Sequence, residues 1–315
     1  MEYAVNPETI QTTPPTNKWA AKQAVVGTMD PSDEVRDRID RTISGELRSV
    51  QSPWPRFSDM THSLQPGTVT IVCGDPGCGK SYFVLQWCAW CLDNKETASI
   101  MELECDRQFH MFRRLVQLSG EVRLLDPAWV IANGNAASRL QIVHPGALDK
   151  MGLCMSHAPN MDVTYDACLK WIEKSAPSSR IIFVDPITAM STQDKPWIAD
   201  KDFVIAARKI LAKHGSSLVA VTHPAKQRER GAPSMKDLAG GTAYERFTDT
   251  ILWIRNDGIE DVSTYGPFGE HIEVTCNRRL RLCKTRNGKG AGMDIGMWFD
   301  PKSLTFSELG VIVEE

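Results

Sequence analysis

Eight consecutive residues, Gly74-Asp75-Pro76-Gly77-Cys78-Gly79-Lys80-Ser81, limit what this chain can fold into more than any other feature. They make a complete Gly-x-x-x-x-Gly-Lys-Ser phosphate loop. The β-branched run Thr68-Val69-Thr70-Ile71-Val72 precedes them, and a helical pattern from Lys80 to Leu92 follows. A glycine turn between a strand and a helix start gathers loop amides and the helix N-terminus around one concavity. Phosphate fits there: Lys80 reaches the β and γ phosphates and the Ser81 hydroxyl meets Mg²⁺. ATP with Mg²⁺ is the expected ligand pair, cradled by Gly74 through Ser81. A chance glycine turn would not also come with the flanking strand and helix.

A second element supports this reading. Arg180-Ile181-Ile182-Phe183-Val184-Asp185 is an apolar strand ending in a carboxylate. The central strands of a parallel sheet deliver their last residues to one carboxyl edge, so Asp185 is placed beside the phosphate loop to hold hydrated Mg²⁺. Hydrolysis also needs a group to orient and deprotonate water. Met101-Glu102-Leu103-Glu104 offers two carboxylates at the end of another strand run, two apart and therefore on one strand face. The pattern does not choose between them.

From Ser63 onward, strand runs alternate with helical patterns: Thr68 to Cys73, Ala98 to Leu103, Ile181 to Asp185, Ser217 to Thr222 and Thr250 to Ile254. Such alternation predicts an α/β fold with a mainly parallel central sheet covered on both faces. His271 to Thr275, Arg279 to Lys284 and Gly292 to Phe299 follow one another with glycine turns between them. They are expected to pair antiparallel at one sheet edge.

The N-terminal part differs in composition. Residues 1–29 carry Pro7, Pro14 and Pro15 among many polar residues, too little apolar material for a fold of their own, and are expected to be a flexible arm. Residues 30–50 are expected to be an amphipathic linker helix. Asp30 would cap it, Pro31 opens it, and Val35, Ile39, Ile43, Leu47 and Val50 recur at helical spacing. That stripe either packs on its own domain or docks on a neighbouring subunit. Residues 51–62, with Pro53 and Pro55, read as a stiff joint, leaving residues 63–315 as the nucleotide-binding domain.

Composition excludes several classes. No apolar run is long enough to cross a membrane, and the N-terminus has no signal or transit character, so cytoplasmic residence is expected. Nine cysteines lack paired spacing apart from Cys88-x-x-Cys91 inside the helix after the phosphate loop, which reads as two small helix residues rather than a metal or redox pair. With a net charge of −3, nucleic acid would have to be held by a local basic surface. The stretch Pro224 to Phe247 is the candidate: Lys226, Arg228, Arg230 and Lys236 alternate with glycines that include Gly240 and Gly241.

Taken in order, these elements resemble the RecA-type motor domain of DnaB-like replicative hexameric helicases. Leu64-Gln65-Pro66-Gly67 is similar to the family's approach to its phosphate loop. Leu103-Glu104-Cys105 resembles its Ser-Leu-Glu-Met element, with Arg113 nine residues on. That register selects Glu104 as the catalytic base and leaves Glu102 as runner-up. Val221-Thr222-His223-Pro224 falls where the family carries a γ-phosphate sensor, which implies that role for His223. Lys284-Thr285-Arg286-Asn287-Gly288 resembles the Lys-x-Arg-Asn-Gly element, whose basic pair reaches the nucleotide of the adjacent subunit. Without that role, the run is a basic edge strand.

The family lines its central channel with loops at the position of Lys226 to Gly241. Where it commonly has Asp-Leu-Arg before a glycine turn, this chain has Asp237-Leu238-Ala239-Gly240-Gly241. The resemblance implies a ring, commonly a hexamer, that hydrolyses ATP at subunit interfaces and moves 5′ to 3′ on single-stranded DNA. A primase or a helicase loader is the implied partner, and a compact phage or plasmid member, in the host cytoplasm if phage-encoded, is the implied setting. The rival expectation is an ATP-switched interaction or loader protein of the RecA, KaiC or RadA kind, without processive unwinding.

Overall fold

The computed structural model describes residues 30–157, 162–192, 195–225, 232–239, 241–266 and 269–313. The chain divides into two compact units, residues 1–46 and 47–315.

Within the first unit, α1 (Pro31–Ile43) begins as its sequence dictates. The Asp30 side chain accepts from the Ser32 amide at 2.9 Å, Pro31 sits in the first turn, and Asp33 and Glu34 lie at the positive end of the helix dipole. The expected helix is shorter than residues 30–50. Gly45 adopts φ +79° and residues 44–47 turn, so Leu47 and Val50 leave the stripe. Val35, Ile39 and Ile43 are 60%, 52% and 79% exposed, and α1 buries no residue.

The second unit contains, in chain order, α2 (Pro55–Thr61), β1 (Val69–Gly74), α3 (Lys80–Asp93), β2 (Ala98–Glu102), α4 (Arg107–Ser119), α5 (Pro127–Ala132), α6 (Gly134–Val143), α7 (Pro145–Cys154), β3 (Met155–His157), α8 (Tyr165–Ser175) and β4 (Ile181–Asp185). Then come α9 (Pro196–His214), β5 (Ser217–Val221), α10 (Thr242–Phe247), β6 (Thr250–Arg255), β7 (Glu260–Tyr265), β8 (His271–Cys276), β9 (Arg278–Thr285), β10 (Asp294–Asp300) and β11 (Thr305–Val311).

Nine strands form one sheet in the order β11-β10-β9-β6-β1-β5-β4-β2-β3. From β6 to β3 every neighbouring pair is parallel, and from β6 to β11 every pair is antiparallel. The α/β class with a mainly parallel centre and an antiparallel edge is what the structure has. One strand departs from the expectation: β8 leaves the sheet edge and pairs with β7 in a separate two-stranded sheet. Its burial pattern is mostly exposed, so it lacks the apolar face that a place in the main sheet would bury.

The central strands β1, β4 and β5 are buried along their whole length, and alternate residues feed two cores. Val72, Phe183 and Val219 enter one with α3, whereas Ile71, Val184 and Ala220 enter the other with α8 and α9. Period-two alternation with both faces apolar is what a sheet covered by helices on each side requires.

The stretch 51–62, read as a joint, is built into the first of these cores. Trp54 stacks on Phe83 at 3.8 Å between centroids, and its Nε1 donates to the Phe306 carbonyl at 3.2 Å. Phe57 and Trp87 close around it edge-on. Proline spacing suggested a linker; the two aromatics between and beside the prolines decided otherwise, because burying such rings outweighs the freedom of the segment. Replacing Trp54 by Ala should lower unfolding stability by about 3–5 kcal/mol through the lost transfer energy and the cavity left behind. Urea unfolding reads this directly, and an unchanged midpoint would show that Trp54 contributes no packing there.

Candidate active site

The carboxyl ends of β1, β5, β4 and β2 lie side by side in the sheet, and four of the sequence-assigned elements arrive there together. The phosphate loop follows β1, His223 follows β5, Asp185 ends β4 and Glu104 lies two residues beyond β2.

The loop is held open by its own backbone. Gly77 and Gly79 take φ of +69° and +98°, which side-chain-bearing residues rarely adopt. A Cβ on Gly79 would also come within 3.0 Å of the Phe306 ring. Asp75 ties the loop to the neighbouring strand: its carboxylate accepts from the Trp253 indole at 3.1 Å and from the Asn256 amide at 3.0 Å. The Asp75 side chain therefore anchors the cradle. Lys80 Nζ donates to the carbonyls of Gly74 at 3.1 Å and Asp75 at 3.4 Å, poised over the loop that it serves. Cys78 is buried, and burial pushes its thiol up to about 11, so it is an inert thiol at neutral pH.

Asp185 is 3% exposed, and burial pushes its carboxyl up to about 6, with the Ser81 hydroxyl acting against that rise. Its Oδ2 is buried without a hydrogen-bond partner. A buried, unsatisfied carboxylate oxygen beside a hydroxyl is costly unless a cation completes it, so Ser81 and Asp185 fit a hydrated Mg²⁺.

The two glutamates do not face the same way. β2 ends at Glu102, the chain bends through Leu103–Cys105, and strand alternation stops. The Glu102 side chain, 3% exposed, turns inward to His110 Nε2 at 3.1 Å, whereas the Glu104 side chain is 53% exposed and lies 3.9 Å from His223 Nε2. Burial, followed by the proximity of Asp185, holds the Glu102 carboxyl well above its usual range, and burial pulls His110 down to about 4. His223 Nδ1 shares a 2.6 Å hydrogen bond with the Thr188 hydroxyl, in the turn after β4. Burial also lowers the His223 pKa.

The basic pair lies elsewhere. Thr285 pairs with Thr250 at the start of β6, and Thr250 pairs with Thr70 in β1, four residues before Gly74. Lys284 and Arg286 thus stand at the amino edge of the sheet, on the order of 13 Å along the strands from this chain's own phosphate loop. Lys284 Nζ donates to the Glu245 and Thr248 carbonyls, and burial lowers its pKa to about 8. The Arg286 side chain is 48% exposed; it donates to the Arg246 carbonyl at 2.9 Å and lies 3.7 Å from Asp249.

Sequence reasoning missed a ladder of cations and rings across α3. Arg113 stacks on Phe109 at 4.0 Å and on Tyr82 at 4.9 Å, Tyr82 stacks on Phe299, and Arg278 lies over Phe299 while its Nε donates to the Cys78 carbonyl at 3.1 Å. Arg278 and Arg286 belong to one basic run in sequence. Only the antiparallel course of β9 shows that the run's two ends meet opposite edges of the sheet.

Of the loop residues assigned to nucleic acid, Lys226, Arg228, Arg230 and Gly240 lie outside the described residues. Lys236 is exposed, in a single helical turn capped by Ser234 and Asp237, and Gly241 takes φ +50°. Cys88 and Cys91 are buried in the core, and all the described cysteines are free thiols. Among the described residues, no helix is long and apolar enough to cross a membrane.

Sheet order, phosphate loop and strand-end carboxylate together define a P-loop NTPase of RecA-like architecture. The model of the AAA domain family AAA_25 matches residues 30–229, more than half of the chain, and the chain belongs to that family. Among solved structures, the ATPase domain of another protein aligns with a TM-score of 0.69 at 13% identity, over 90% of this chain and all of that one. A DnaB-like replicative helicase, described with its interactions with primase, aligns with a TM-score of 0.66 at 15% identity, over 90% of this chain and 67% of that one. Comparison with curated protein sequences gave no match.

Proposed function

We propose that this chain is the motor of a ring-shaped, Mg²⁺-dependent ATPase that moves on single-stranded DNA and separates duplex ahead of it, 5′ to 3′ as its resemblance to DnaB-like helicases implies. One observation carries the reading. The residues proposed to bind and cleave a triphosphate gather at the carboxyl edge of the sheet, whereas Lys284 and Arg286 stand at the opposite edge, away from their own phosphate loop, which supports a role at the site of another copy. A site divided in this way calls for a closed, head-to-tail ring, and a hexamer is the proposed size.

In that ring the loop amides and Lys80 bind the phosphates, and Ser81 and Asp185 would hold Mg²⁺, which would supply positive charge to the phosphates. Glu104, exposed and 3.9 Å from His223, takes the proton from the attacking water. His223, bonded to Thr188 and rooted at the start of the loop toward Lys236, relays phosphate occupancy to that loop. Arg286 and Lys284 of the next copy stabilise the charge spread over the transferred phosphoryl group. Primase or a helicase loader is the proposed partner. The exposed stripe of Val35, Ile39 and Ile43 is proposed to dock on a neighbouring copy; sedimentation of a chain starting at Leu47 tests this, and an unchanged oligomer would exclude it.

The test of function is strand displacement on a forked duplex, paired with titration of a labelled single strand at several salt concentrations. Neutralising Lys226, Arg228, Arg230 and Lys236 together should weaken binding regardless of base sequence and flatten the salt dependence by about 0.7 of a unit for each phosphate that is no longer neutralised. Equal affinities and slopes would remove this loop from the DNA path. Ala239, where the family commonly carries an arginine, favours the second reading of an ATP-switched interaction protein. Single-strand binding without displacement by the wild type would select that reading.

A further inference from the structure

Glu104 has little to hold its side chain. It is half exposed, and its nearest described polar partner is His223 at 3.9 Å. Its position must therefore come from its backbone. On one side the Leu103 amide donates to the Asp185 carbonyl at 2.9 Å, which fixes the start of the bend to β4. On the other side the chain enters α4, whose fourth residue, His110, meets Glu102 across the bend. The Glu102–His110 contact thus closes a loop of seven residues with Glu104 inside it.

From these contacts we infer that Glu102 and His110 form a buried brace that sets the height of the Glu104 loop, so that both are positioning residues for hydrolysis.

Two features favour a positioning role over plain packing. Both side chains are almost fully buried, 3% and 2% exposed, where apolar residues of similar size would avoid the cost of desolvating polar groups. Glu102 is also the register partner of Asp185 in β4, so the brace is keyed to the strand that carries the metal carboxylate. Arg113 lies one turn beyond His110 on the same face of α4 and stacks on Tyr82, directly after Ser81. The brace therefore ties the Glu104 loop to the helix that covers the phosphate loop.

This inference rests on the reading of Glu104 as the base. The test uses the full chain, measuring steady-state ATPase and equilibrium binding of a fluorescent ATP analogue. Glu102→Ala and His110→Ala should each lower kcat by tenfold or more, with affinity within about threefold of wild type, because a small displacement of a reacting group costs rate rather than binding. Glu102→Gln keeps the shape and the polar contact with His110, so its kcat should stay within about threefold of wild type. The double variant Glu102→Leu with His110→Leu fills the site with apolar volume and should fold even where the alanines do not, yet turn over slowly. A wild-type kcat in the double leucine variant would overturn the brace alone. A Glu102→Gln variant as inactive as Glu104→Gln would overturn it by making Glu102 the base. Wild-type turnover in Glu104→Gln would overturn the assignment of the base and the brace with it.

Discussion

Arg286→Ala should bind ATP as tightly as the wild type and hydrolyse it 10³-fold or more slowly. Removing an arginine that meets the transferred phosphoryl group costs about 10³ to 10⁵ in rate, and Arg286, the proposed finger, stands at the amino edge of the sheet, away from its own phosphate loop. The distinguishing result comes from mixing. A Lys80→Ala chain has lost its grip on triphosphate but still offers an intact Arg286, whereas the Arg286→Ala chain has an intact phosphate loop and Glu104. Where the second presents its site to the first, the interface is complete. About one interface in four of an equimolar mixed ring has this arrangement, so the mixture should recover turnover that neither variant shows alone. An Arg286→Ala protein with wild-type turnover at every concentration would exclude a finger at this position.

Glu104→Gln should retain ATP and lose turnover by about 10² to 10⁴, the usual contribution of a positioned general base. Lys80→Ala should fail differently, by losing the nucleotide itself. Equilibrium binding and single-turnover hydrolysis separate the two failures. The choice of Glu104 over Glu102, made from the register of the family resemblance, is supported by exposure. A general base must reach a water that attacks bound phosphate, and Glu102 is turned into the protein against His110, whereas Glu104 stands in the open beside His223. Full activity in Glu104→Gln would sink the assignment.

The two glutamates also show where pattern reading stops. Their spacing places both on one strand face only if the strand continues, and it ends at Glu102 because the next residues bend toward α4. Strand ends depend on which neighbour still offers a hydrogen-bond ladder, and that is a property of the assembled sheet. The Pro-rich stretch behaves in the same way. Pro53 and Pro55 mark a stiff segment, but Trp54 and Phe57 find a buried home against Phe83 and Trp87, residues that meet them only in the folded molecule. The stripe of α1 ran past its true end because Leu47 and Val50 kept the helical interval after Gly45 had turned the chain.

What the sequence determined by itself is local chemistry: the phosphate loop between a strand and a helix, the carboxylate ending β4, and the alternation that makes a mainly parallel sheet with an antiparallel edge. Each of these is a short-range pattern whose physical requirement, a glycine turn, a strand end or an apolar period, is met by adjacent residues. What only the tertiary structure decided is which groups share a place. The order of β1, β5, β4 and β2 brought Lys80, His223, Asp185 and Glu104 to one edge, and the reversed course of β9 put Arg278 at that edge and Arg286 at the other. Strand order and direction arise from packing between segments far apart in the chain, so the spacing along the sequence carries no record of them.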